Sequence, residues 1–391
     1  LVHTLHNFAP LTDQSPLQMS GKEIFEIADV PISCFSFNKD RSRVAFSPND
    51  HQVFICKKVG SSWEKEATLN EHHQNVTSID WAPNSNRIVT CSADRNGFVW
   101  VEEAGKWSPT LVILRINRAA TYVRWSPNED KFAVASGARL VSVCYFEKEN
   151  HWWVSKHIKK PIRSTVLAVD WHPNNVLLCA SSTDFKARVF SAYIKEIEPK
   201  PETTNWGKKM PFGALMAEFS NGYGGWVHDV AFSPSGSKIA WVSHDSTVSV
   251  VQGGDNAVVA KICTSSLPFL SVVWVSENSL VTAGHDFVPM VFTYDGDNAV
   301  KFVAKLDQPS KNDGEEETIS AMDKFRNLDK KNTGKRDEAS STAHVNVINQ
   351  LSVYAGPKEN VSKIASSGLD GRIVIWDIKT LEKSISDLKI L

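Results

Sequence analysis

Apolar and polar residues alternate along most of this chain in short runs. Ile32-Ser33-Cys34-Phe35-Ser36-Phe37 reads as a half-buried strand, and Ile88-Val89-Thr90-Cys91 and Val141-Ser142-Val143 read as buried or half-buried ones. The same punctuation returns after several runs. Asp80-Trp81-Ala82-Pro83, Arg124-Trp125-Ser126-Pro127, Asp170-Trp171-His172-Pro173 and Ala231-Phe232-Ser233-Pro234 are four copies of one strand end and turn. Their aromatics lie 44, 46 and 61 residues apart. A period near 44 residues, with an aromatic, a proline turn and β-branched flanks, predicts β-propeller blades of four short strands each.

The register extends in both directions. Phe37 precedes Trp81 by 44 residues, Trp274 follows Phe232 by 42, and Val353 follows Trp274 by 79, one period plus an insertion. The sequence therefore predicts an all-β fold, a seven-bladed WD-repeat propeller with an insertion between blades six and seven. A second landmark keeps the same phase. Asp94, Asp184, Asp286 and Asp370 each sit in a predicted tight turn six residues before a strand aromatic, namely Trp100, Phe190, Phe292 and Trp376. In blade three Gly137-Ala138-Arg139 stands where the aspartate is expected.

Two units carry a complete set of His, hydroxyl, Asp and Trp, with four residues from hydroxyl to Asp and six from Asp to Trp in both: His72, Thr90, Asp94 and Trp100, then His344, Ser366, Asp370 and Trp376. Such a set reads as a buried relay, because a carboxylate inside a protein is tolerated only when hydrogen-bonded. On paper it also resembles a Ser-His-Asp triad. It occurs in two separate blades, whereas a triad would occur once, so the structural reading is preferred. A propeller ring must also close. The last strand-like run ends near Trp376-Asp377, and Ile378 to Leu391 reads as helical, so blade seven lacks its outer strand. Ile24-Phe25-Glu26-Ile27 alternates as a strand should, and residues 22–29 are expected to supply that strand.

The 391 residues carry a net charge of −1, with 42% hydrophobic and 22% charged residues. That balance disfavours a general nucleic-acid or membrane-surface binder, which needs a basic excess. No apolar run is long enough for membrane insertion. The six cysteines are scattered with no Cys-x-x-Cys pair, and most lie in apolar runs, so they read as small buried hydrophobes. No metal or cofactor is expected, and no phosphate-binding glycine loop is present. Asn75-Val76-Thr77 and Asn360-Val361-Ser362 match the glycosylation pattern but are discounted, since nothing else points to secretion. The first methionine is Met19, and residues 1–18 are expected to be a non-native or disordered extension, leaving 19–391 as the propeller.

Insertions in a repeat array map to loops on its faces and are the places to seek function. The first, about 194–224, is rich in Pro and Gly and is expected to fold back over the blade edge with Trp206 and Phe212 as anchors. The second, about 295–344, has charged flanks around Thr318 to Leu328. Ser320 and Asp323 have capping-box spacing, and Met322, Phe325 and Leu328 would share one face of a short amphipathic helix. Such a helix either packs on the propeller or is offered to another protein as a helix-in-groove ligand. A third candidate is the basic run Lys156 to Arg163, whose Lys159, Lys160 and Arg163 would suit an acidic partner.

Several longer stretches go beyond the generic repeat. Pro109 to Ala120, Asn150-His151-Trp152-Trp153 through Val166, Asp170 to Leu178, Phe190 to Glu196 and Trp241 to Val248 together resemble the WD-repeat subunit (subunit one) of the Arp two-three complex, from about Pro31 to Leu391. The resemblance implies a cytoplasmic, non-catalytic subunit of the actin cytoskeleton, in an assembly that includes two actin-related proteins and nucleates branched filaments. It further implies a protruding helix in the insertion between blades six and seven, contacting the mother actin filament or nucleation-promoting factors. Phe325 to Lys331 resembles that helix, so Ile319, Met322, Phe325, Arg326 and Leu328 are the implied contacts, joined by Lys159, Lys160 and Arg163.

Two other readings remain open at this stage. One is a WD-repeat adaptor of another machine, such as a ubiquitin-ligase receptor or a trafficking coat, although residues 1–30 are too short for an accompanying domain. The other is an enzyme on a propeller scaffold, with His51, His172, His228, His244 and His285 as suspects. These sit at repeat-equivalent or turn positions, where a histidine more often satisfies local hydrogen bonds.

Overall fold

The computed structural model describes residues 17–19, 21–60, 62–296, 298–307 and 342–379. Within them the chain forms seven antiparallel sheets, six of four strands and one of five, and every four-stranded sheet runs in sequence order. The inner strands are Cys34–Phe37, Val76–Trp81, Ala120–Trp125, Val166–Trp171, Val227–Phe232, Phe269–Trp274 and Ile348–Ala355. All seven reference positions fall on these strands, so the fold is the all-β, seven-bladed propeller that the period implied. The helix predicted over Thr318 to Leu328 lies within residues 308–341, outside the described residues.

Burial follows the blade. The second strands are almost wholly buried, as in Lys131–Ser136 and Leu177–Ser182, whereas outer strands such as Ser62–Leu69 are mostly exposed or half-buried. Propeller blades face neighbours on both sides, so the middle strands need apolar residues on both faces. The reference aromatics plug the seams: Trp274 donates its indole N–H to the Ala231 carbonyl at 3.0 Å, and Trp171 donates to the Arg124 carbonyl at 3.0 Å. Five cysteines are buried in these seams and burial raises the thiols of Cys34, Cys56 and Cys91 to about 12. The sixth, Cys263, is exposed.

The inner strands are also tied to one another around the channel. Ser36, Asp80, Asp170, Asp229, Ser271 and Gln350 each accept a backbone N–H from the next blade, from Trp81, Trp125, Phe232, Val272, Leu351 and Phe35. A shift in register recurs near the start of the inner strand in blades two to seven. Such a bulge re-aims one side chain. Here it turns Thr77 to the Ala120 carbonyl, Thr121 to the Val166 carbonyl and Asn349 to the Ile32 carbonyl, stitching neighbouring blades.

Blade seven combines both ends of the chain. Its inner three strands are Ile348–Ala355, Lys363–Gly368 and Arg372–Asp377, and Lys22–Glu26 pairs antiparallel with the last, from Lys22 opposite Trp376 to Glu26 opposite Arg372. Phe25 enters the core between blades seven and one, with Ile373, Ile375 and Trp63. The strand Leu17–Met19 adds a fifth member outside it and begins within the stretch set apart above as an extension. Gly371 sits at φ 76°, and a Cβ there would lie 1.9 Å from the Ala28 carbonyl oxygen. The Ala28 N–H donates to the Gly371 carbonyl at 3.2 Å, so this closing turn requires glycine.

Both insertions are shorter than the sequence suggested. Blade four's outer strand, Leu215–Phe219, and blade six's outer strand, Val300–Lys305, lie inside the predicted ranges. The first insertion is therefore the loop 192–214. Trp206 packs against Phe219 and Phe232 and donates its indole N–H to the Gly236 carbonyl at 2.8 Å. Phe212 packs on the neighbouring core, and buried Met210 is a third anchor.

Candidate partner-binding surfaces

The two relays form with matching geometry. His72 Nδ1 is 3.0 Å from Asp94 Oδ2, His72 Nε2 is 2.9 Å from Thr90 Oγ1, and the Trp100 indole N–H donates to that hydroxyl at 3.0 Å. In blade seven, His344 Nδ1 is 3.0 Å from Asp370 Oδ2, Nε2 is 2.7 Å from Ser366 Oγ, and Trp376 donates to the hydroxyl at 2.8 Å. The carboxylate can only accept, so the neutral histidine carries its proton on the Nδ1 that faces it, and Nε2 accepts from the hydroxyl. Hydrogen bonds from His72, His73 and Asn96 outweigh burial and hold the Asp94 carboxyl down at about 2. Thr90 and Ser366 are completely buried. A nucleophile needs access to substrate, so these sets are structural. Among the described residues, no group of three or more His, Cys, Asp or Glu is placed to hold a metal ion. No helix among them is long and apolar enough to cross a membrane.

The relays show how the exposed surface is organised. In blades two, four, six and seven the inter-blade connection runs beside the turn between the second and third strands of the blade it enters, and the turn's aspartate accepts a backbone N–H from that connection. The donors are His73 to Asp94, Arg163 to Asp184, Leu267 to Asp286 and Val345 to Asp370, at 2.9 to 3.1 Å. All inter-blade connections therefore emerge on one face, called here the connection face. Lys159, Lys160 and Arg163 are exposed on it, between blades three and four. Lys156, earlier in the run, is engaged with Glu196 at 2.9 Å.

The insertion between blades six and seven leaves from the same face, on the far side of the ring. The chain departs at Asp307 and returns at Thr342. The Ala343 N–H donates to Asp307 Oδ2 at 2.7 Å, and Lys22 of the closing strand also pairs with Asp307. One carboxylate thus clamps both ends of the insertion to blade seven's outer edge. Ile319, Met322, Phe325, Arg326 and Leu328 lie outside the described residues.

Other features of the site region had no clear sequence signal. Tyr223 and Trp226 are exposed on the connection face between blades four and five, 63% and 50%. Trp226 lies against His244 at 5.6 Å, and His244 Nδ1 is 2.9 Å from His228 Nε2. Burial, then the neighbouring His244 and His285, lower His228 to about 4. Loop composition in Gly222-Tyr223-Gly224-Gly225-Trp226 was the one available cue. Arg124 stands where blades two and four carry Asp80 and Asp170, and it lies among Asp80, Asp170 and Asp229. Burial raises Asp229 to about 6, against hydrogen bonds from Val272 and Ser271.

Comparison with known proteins agrees with this architecture. The WD domain, G-beta repeat family matches residues 63–100 and 155–191. "Actin-related protein 2/3 complex subunit 1A-A" of Xenopus laevis is 60% identical over 363 residues, covering 92% of this chain and 98% of the relative. "Actin-related protein 2/3 complex subunit 1" of Schizosaccharomyces pombe is 42% identical over 381 residues, covering 92% and 100%. "Actin-related protein 2/3 complex subunit 1A" of Arabidopsis thaliana is 40% identical over 367 residues, covering 91% and 96%.

Proposed function

The chain belongs to the Arp2/3 complex subunit 1 family, and on that premise we propose that it is a non-catalytic scaffold subunit supporting nucleation of branched actin filaments in the cytoplasm. The propeller is the rigid part. Its inner strands are stitched around the ring and its first and last described strands share one sheet, so it can hold neighbouring subunits, including two actin-related proteins, in fixed relation. The segment about Ile319 to Leu328 is the contact to the mother filament or to a nucleation-promoting factor. Lys159, Lys160 and Arg163 supply charge for an acidic segment of such a factor.

The observation that carries this reading is the clamp at Asp307. A contact segment transmits position to a complex only if its base is fixed, and here Ala343 and Lys22 fix both ends to the strand that closes the ring. The test is co-purification of tagged protein with identification of partners, followed by a branching assay, for wild type and for Met322→Ala/Phe325→Ala/Leu328→Ala. Both proteins should bring down two actin-related proteins, and the variant should form fewer branches. Absence of actin-related proteins from the wild-type preparation overturns the assignment; undiminished branching by the variant overturns the role of the segment alone.

A further inference from the structure

Blade three departs from the repeat at one charged position. In blades two, four, six and seven the turn aspartate supplies a carboxylate oxygen to the N–H of the incoming connection. In blade three that position is Ala138. The turn itself is unchanged: the Ala138 N–H donates to Ser136 Oγ at 3.0 Å, as Asp94 does to Ser92 at 3.1 Å and Asp184 to Ser182 at 3.4 Å. Asn117 precedes Ala138 by the 21 residues that separate His73 from Asp94 and Arg163 from Asp184. No carboxylate meets its N–H among the described residues.

Where the carboxylate is missing there is a hollow of 540 Å³, lined by Arg115, Asn117, Ala138, Arg139, Lys159 and Lys160 among others. Its four cations come from three separate segments and all are exposed. None pairs with a carboxylate among the described residues. Arg139 holds the left-handed turn position that Arg95 and Phe185 hold in blades two and four, so the repeat itself delivers its side chain to the rim. Four like charges around one concavity, without a counter-ion, repel one another and favour a polyanion.

We propose that this hollow binds a compact, multiply phosphorylated small molecule of the inositol polyphosphate class, with one phosphate seated where the other blades hold their own aspartate. The volume is within the range of small-molecule sites. An acidic peptide presents carboxylates singly along an extended chain and suits a strip of cations; cations grouped around a hollow suit phosphates grouped around a ring. The same chemistry is available as a soluble inositol phosphate or as a phosphoinositide headgroup. The site shares Lys159 and Lys160 with the partner surface above but does not rest on membership of the complex.

The test titrates the full chain, with whatever subunits accompany it, with inositol hexakisphosphate, and separately with phosphatidylcholine vesicles containing phosphatidylinositol bisphosphate. Saturable binding is expected for wild type and for the control Arg95→Ala, which lies on the same face in blade two. Ala138→Asp, which restores the repeat's own carboxylate, should weaken binding about tenfold or more, the cost of losing at least one charge-assisted hydrogen bond. Arg139→Ala/Lys160→Ala should weaken it similarly and decides the matter if Ala138→Asp fails to fold. Binding to the soluble ligand assigns the source as free inositol phosphate, and binding to vesicles alone assigns it as the lipid headgroup. The proposal is overturned if neither probe binds, if these variants bind as wild type does, or if polyglutamate binds and inositol hexakisphosphate does not.

Discussion

Phe25→Ala tests whether closure of the ring through the N-terminal strand holds the propeller together. Phe25 is 6% exposed and lies between blades seven and one, with Ile373 and Ile375 on one side and Trp63 on the other. Its ring meets Trp63 edge-on at 6.0 Å and 88°, and Lys58 Nζ lies 5.1 Å from the ring centroid. Truncating a buried Phe to Ala costs about 3–5 kcal/mol from lost transfer energy and the residual cavity. The strand lies near the outside of its sheet and can relax inward, so the lower end, about 3 kcal/mol, is the figure to expect. With a urea slope of about 3 kcal/mol per M, the unfolding midpoint should fall by about 1 M without a change in slope. The assay is urea unfolding followed by tryptophan fluorescence and far-ultraviolet circular dichroism, with the 55% exposed Val258→Ala as control. A midpoint for Phe25→Ala no lower than the control's would mean that the strand decorates the ring without closing it.

Three further outcomes follow from buried polar groups. Lys131, fully buried, pairs with Glu198, which also accepts the Ile194 N–H and so anchors the first insertion. Lys131→Met should cost about 3–5 kcal/mol by stranding Glu198, and Lys131→Met/Glu198→Gln should recover much of that in chemical unfolding. Asp94 has a folded value of about 2, below its unfolded 3.8, so its contribution is full above pH 3.8 and is lost as pH falls toward 2. Asp94→Asn should flatten that part of a stability-versus-pH curve and lower the plateau above it. His228 is depressed to about 4 from 6.5, so its neutral burial supports the fold above pH 6.5 and opposes it progressively from there down to pH 4. His228→Leu, the residue at the equivalent positions Leu167 and Leu270, should reduce the loss of melting temperature across that window; an identical slope would refute the assignment.

The blade count was legible because each blade repeats the same local chemistry. An aromatic before a proline turn and an aspartate six residues before a second aromatic are short-range patterns, and they kept phase even where Arg124 or Ala138 broke the consensus. The relays were legible for the same reason, since all their members lie in one blade and the connection entering it. The boundaries of both insertions were not. Leu215–Phe219 and Val300–Lys305 are outer strands with one face in water, and their mixed composition resembles loop sequence. The partners of Lys131, Arg124 and Asp307 were hidden as well. Lys131 lies in a run that reads simply as a strand, and its carboxylate is 67 residues away in a loop.

The sequence by itself determined the class of fold, the phase of its seven units and the surface segments that interrupt them. Local sterics and burial set those features, and both act between near neighbours along the chain. Tertiary structure alone decided which side chains meet across blade seams, that the basic run and the inserted segment leave from one face, and that replacing one aspartate by Ala138 leaves a hollow ringed by cations. These depend on where a closed ring returns the chain to itself, and closure brings together residues such as Lys22 and Asp307 that lie 285 positions apart.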